Sequence, residues 1–178
     1  MYVNIFGVMR VDNMNLQQYF EFTETTKSYP NLVEYDYLTH GIWAEIGEFE
    51  GILAKMLRGD EKYKDDEVYI NALKSELGDI YWFAVRLLAS KEHLENSERF
   101  SYNYENPLLR ELVESIKHDL LDKDYLTLLL TLDGIAKVLE STRYEIIELN
   151  VKKLTERKNT NTIKGDGETV NARYSLGK

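Results

Sequence analysis

The chain has 178 residues, 43% of them hydrophobic, which is enough for one domain with its own core and too apolar for wholesale disorder. Its formal net charge of −9 argues against DNA or RNA as a main partner, because polyanion binding draws on basic patches. The absence of cysteine excludes disulfides, thiolate metal sites and cysteine nucleophiles.

The opening M-Y-V-N-I-F-G-V-M-R lacks the basic region of a secretory leader. No apolar run approaches the roughly 20 residues a membrane helix needs. The greasiest stretch, Tyr125 to Leu132, reads as a core helix. The expectation is a soluble, cytoplasmic protein with no membrane partner. Acidity does not exclude a small phosphorylated substrate, since a divalent cation can bridge carboxylates to phosphates. Only Pro30 and Pro107 interrupt the chain, which suits long helices and an all-α fold.

In chain order, residues 1–12 show no helical period and suggest a short N-terminal arm. A first helix starts near Asn15, with Asn15 and Gln18 spaced as a capping box, and ends before Pro30. A second runs from Glu34 to Arg58, its face marked by Leu38, Ile42, Ile46, Phe49 and Leu53. Arg58 to Asp66 reads as a solvated loop. A third helix covers Glu67 to Ala89, with Leu73, Leu77, Ile80, Ala84, Leu87 and Leu88 as its buried stripe. After a polar and aromatic connection, Pro107 opens a helix to Leu121, and another covers Tyr125–Leu139. That one either continues into, or turns near Ser141 before, a helix over Arg143–Arg157. From Lys158 the polar, glycine-bearing tail reads as a loop. No repeat at solenoid periods is present.

Two carboxylate pairs stand out. Glu45 and Glu48 lie three apart on the second helix, Glu76 and Asp79 three apart on the third, so each pair shares a face. If the two helices pack antiparallel, the four carboxylates meet. Such a group needs a counter-charge, which a hard oxygen-ligated cation such as Mg²⁺ supplies. Gly47 and Gly78 sit inside the pairs, where glycine in a helix often marks a close approach. Asn150, Lys153 and Arg157 share a face of the last helix and offer donors and charge for phosphate oxygens.

E-I-G-E, then E-L-G-D-I-Y-W-F, then N-V-K-K-L-T-E-R-K, in this order, resembles the MazG-like branch of the all-α NTP pyrophosphatases. The resemblance covers about 14–90 and 143–173. It implies one MazG-like domain spanning 1–178, a helical bundle on a four-helix core with a C-terminal loop. The segment of about 92–139 is a departure, long enough for an inserted helical pair that caps the pocket, builds an oligomer interface, or does neither.

By the same resemblance Glu45, Glu48, Glu76 and Asp79 are the catalytic metal ligands for Mg²⁺, or Mn²⁺ in its place. Asn150, Lys153 and Arg157 face phosphates or sugar, Trp82 or Tyr81 stacks on the base, and Lys55 and Arg58 are further phosphate contacts. The implied reaction cuts a nucleoside triphosphate between the α and β phosphates, giving a monophosphate and pyrophosphate. A purine deoxynucleotide such as dGTP is the substrate the analogy suggests, and a homodimer or homotetramer the assembly.

Two rival readings differ in class. A di-iron carboxylate bundle requires Glu-x-x-His, but the residues three before His40, His93 and His118 are Tyr37, Ser90 and Ser115. A non-enzymatic acidic interaction protein would use the same carboxylates for solubility or for a basic partner. No G-x-S-x-G and no P-loop pattern is present.

Overall fold

The computed structural model describes residues 14–89 and 108–163, and none of these forms a strand. The helices are α1 (Leu16–Thr26), α2 (Glu34–Leu57), α3 (Asp66–Ala89), α4 (Leu109–Asp122), α5 (Tyr125–Val138) and α6 (Arg143–Asn159). The expected N-terminal arm, the connection that includes Pro107, and the tail from residue 164 lie outside the described residues. No described helix is long and apolar enough to cross a membrane.

Local chemistry sets the boundaries. The Asn15 side-chain Oδ1 accepts from the Gln18 backbone N–H at 2.8 Å, and the Gln18 Oε1 accepts from the Asn15 backbone N–H at 3.0 Å, so the capping box forms. Thr142 and Glu145 make a second such box at the start of α6. The chain therefore breaks before α6, with Glu140 at φ 51 in the turn that leaves α5. The helix α6 extends past the expected end at Arg157, as far as Asn159. The segment after α2 is also more ordered than a solvated loop. A short 3₁₀ turn at Glu61–Tyr63 tucks the Tyr63 ring into the core, leaving it 8% exposed.

The hub is α3, which packs against α1, α2, α5 and α6. From Ile80 to Leu88 it is buried on every side, which explains its run of large apolar residues. The α2–α3 hairpin is antiparallel: Gly41 lies against Phe83, and further along α2 Glu45 lies near Asp79. A Cβ on Gly41 would stand 2.2 Å from the Phe83 ring, so only glycine admits this contact. Gly41→Ala is therefore expected to cost about 1–3 kcal/mol through overpacking. A urea-melt midpoint equal to the parent's would count against that contact.

The α4–α5 hairpin completes the bundle. Its α5 helix packs on α3, and α4 reaches α2 through Lys117 Nζ to Glu50 Oε1 at 2.9 Å. Two ionic networks, each centred on a buried arginine, tie the helices together. Asp133 on α5 receives a two-nitrogen bond from Arg143 on α6 and the Tyr81 hydroxyl of α3 at 2.6 Å. Arg86 on α3 pairs with Glu24 on α1 and Glu34 on α2, and donates to the Tyr29 hydroxyl and to Thr23. Its guanidinium also lies over the Trp82 ring, 5.2 Å from the centroid.

Candidate metal centre

The antiparallel hairpin brings Glu45 of α2 to Glu76 and Asp79 of α3, with one carboxylate oxygen of each within 4.8 Å of the others. All three are partly buried. Glu48, one turn beyond Glu45, is exposed and stands outside this group, although its charge still acts on Glu45 and Glu76.

Both carboxylate oxygens of Asp79 accept hydrogen bonds. Asn150 Nδ2 donates to its Oδ1 at 2.8 Å, and Lys153 Nζ donates to its Oδ2 at 2.5 Å. Lys153 also donates to the Ser75 hydroxyl at 3.1 Å and to the Ser75 carbonyl at 3.3 Å. Glu45 and Glu76, by contrast, accept no hydrogen bond from any described residue. Burial first, then the charges of Asp79, Glu48 and Glu76, push the Glu45 carboxyl up to about 7. Burial and Asp79 likewise raise Glu76. The native fold thus holds the Glu45 proton more tightly than the unfolded chain, where the ordinary value is 4.5. With the metal-free protein, stability should fall as pH rises from about 4.5 to about 7 and level off above that. Thermal melts across this range test it, and Glu45→Gln should flatten the fall.

The donor set fits a small hard cation. Three carboxylates converge, two of them lack donors among the described residues, and burial together with the neighbouring carboxylate charges raises the proton affinity of both, a cost that a divalent ion would offset.

Beside the cluster opens a cleft of about 130 Å³. It is lined by the acidic Glu45 and Asp79, by the aromatic Tyr37, Trp82 and Phe83, and by Arg157, which is exposed and so stands at its edge. The Trp82 indole is fixed by its Nε1 bond to Thr26 Oγ1 at 3.0 Å. Among the described residues, none of α4 or α5 lines the cleft.

The sequence-derived candidates divide accordingly. Glu45, Glu76 and Asp79 come together, and Trp82 and Arg157 line the adjoining cleft. Tyr81, the alternative stacking residue, is fully buried with its hydroxyl on Asp133. Asn150, expected to face a ligand, is 1% exposed and lies beneath Asp79. Lys153 is bonded to Asp79 and Ser75. Lys55 is exposed in the last turn of α2, ten residues past Glu45 and therefore about 15 Å along the axis. Arg58 closes a two-nitrogen bond on Asp60 at 2.7 Å. Sequence reasoning missed Tyr19, whose buried hydroxyl donates to Asn150 Oδ1 at 2.8 Å, and Tyr37 and Phe83 in the cleft wall. For Tyr19 the only available sign was an aromatic on the inner face of an amphipathic first helix.

In comparisons with known proteins, no family model, no curated protein and no solved structure matches the chain.

Proposed function

We propose that this chain is a divalent-cation-dependent nucleoside triphosphate pyrophosphohydrolase, releasing a nucleoside monophosphate and pyrophosphate. The observation that carries the reading is the convergence of Glu45, Glu76 and Asp79, two of which, Glu45 and Asp79, also line an adjoining cleft with the aromatic Tyr37, Trp82 and Phe83. The ordered resemblance of the acidic and Asn-Lys-Arg motifs to MazG-like enzymes supplies the reaction. Glu45, Glu76 and Asp79 would hold Mg²⁺, with Mn²⁺ able to replace it and Glu48 close enough to add charge. When bound, such an ion neutralises phosphate charge and acidifies water.

The protein's own groups divide the remaining work. Arg157 offers a forked guanidinium to phosphate oxygens at the cleft edge. Trp82, Tyr37 and Phe83 provide flat apolar surface for a base. Lys153 and Asn150 hold Asp79 in one orientation, so the cluster needs little rearrangement on ligand binding. A water attacks the α phosphorus, one carboxylate of the cluster takes its proton, and the α–β bridging oxygen leaves with pyrophosphate. A purine deoxynucleotide such as dGTP is the proposed substrate, and a cytoplasmic homodimer or homotetramer the proposed form.

The test is pyrophosphate release with Mg²⁺ across the common NTPs and dNTPs, beside a metal-free control. Metal-dependent release on at least one nucleotide is expected. No release on any of them would return the chain to the class of acidic interaction proteins.

A further inference from the structure

The amide of Asn150 is buried between two oxygen-bearing partners, and its orientation is determined by them. On one side lies the Asp79 carboxylate, which when ionised can only accept, so Nδ2 must face it. On the other side Oδ1 is left facing Tyr19, 2.8 Å from the hydroxyl, so Tyr19 must donate. The Tyr19 side chain is fully buried, and burial raises its phenol well above 10.0, which keeps the proton on it. Gly78 makes the arrangement sterically possible. A Cβ there would stand 3.0 Å from the Asn150 Cβ and 3.4 Å from its Nδ2. The missing side chain lets α6 press against α3 one residue before Asp79.

We infer that Tyr19 is a positioning residue for the acid cluster: its hydroxyl locks the Asn150 amide so that Nδ2 holds Asp79 Oδ1. The relay runs from α1 through α6 to α3 and spans 131 residues of sequence in its first bond. It leaves Asp79 clamped at both oxygens, by Asn150 and by Lys153, while Glu45 and Glu76 stay open to a ligand. Removing the hydroxyl leaves Oδ1 buried without its donor and the amide with one anchor in place of two, so Nδ2 is held less firmly on Asp79 Oδ1. The functional consequence rests on the hydrolase reading above; the lock itself does not.

Tyr19→Phe keeps the ring and removes only the donor. In the metal-free full-length protein, the Asn150 side-chain NH₂ should give slowly exchanging proton resonances, and Tyr19→Phe should accelerate that exchange by at least about tenfold. With Mg²⁺ and a nucleotide that the parent hydrolyses, kcat should fall about 10- to 100-fold with KM little changed, as for other groups that orient ligating side chains. In an Asn150→Ala background the Phe substitution should add nothing further, because the relay is already cut. Unchanged exchange in Tyr19→Phe would overturn the inference, whatever the enzyme assay shows. So would a Phe effect on kcat that persists in full in the Asn150→Ala background, since the tyrosine would then act by another route. A parent protein that hydrolyses nothing would overturn the hydrolase reading alone, and the exchange measurement would still decide the lock.

Discussion

Under the proposed hydrolase reading, Glu76→Gln is expected to lower metal-dependent pyrophosphate release by about 1,000-fold or more while leaving the helical fold intact. The substitution removes one of the two carboxylates that no described residue satisfies, and with it a full negative charge at the point where the cluster converges. Loss of charge stabilisation worth several kcal/mol translates directly into that factor. The fold should not suffer, because Glu76 is partly exposed and burial and the Asp79 charge disfavour its ionised form, so a neutral amide there costs the metal-free fold little. Slightly higher melting temperature at neutral pH is the accompanying expectation. Glu48→Gln provides the contrast: it is exposed and outside the triad, so its effect should be smaller than that of Glu76→Gln. Equal loss in the two variants would move Glu48 into the centre. Full activity in both would sink the site assignment.

The second large effect is on stability. Asp133→Ala should cost about 3–5 kcal/mol, since it strands the Arg143 guanidinium in a buried position and takes the acceptor from the Tyr81 hydroxyl. The Arg143 and Asp133 side chains are only 9% and 15% exposed, so water cannot readily replace the lost partner. Replacing both charges together, as Asp133→Leu with Arg143→Met, should recover much of the loss, because no uncompensated charge then remains. Chemical denaturation of the single and double variants tests this. A loss below about 1 kcal/mol in Asp133→Ala would mean that the pair is solvated.

These predictions draw on parts of the molecule that the sequence reveals unequally. The helices were readable because apolar residues recur every three or four positions, and Asn15 with Gln18 announced the first cap. The pairs Glu45/Glu48 and Glu76/Asp79 were visible for the same reason, as neighbours on one helix face. What joins one helix to another was not. The Tyr19–Asn150 bond and the Arg86 network link residues far apart in sequence, and local periodicity carries no sign of them.

The two internal glycines make the point sharply. Gly47 and Gly78 occupy the same place within their motifs, yet a Cβ on Gly47 would meet nothing within 4 Å while one on Gly78 would press on Asn150. Helical spacing likewise places Asn150 and Lys153 with Arg157 on one face. It could not say that the first two turn inward to Asp79 while Arg157 stays at the cleft edge.

The most direct measurement is calorimetric titration of the purified protein with Mg²⁺ and with Mn²⁺, comparing the parent with Glu76→Gln. The account predicts saturable binding by the parent that weakens sharply in the variant. Equal binding by both proteins, or none by the parent at millimolar cation, would contradict a metal centre built from Glu45, Glu76 and Asp79.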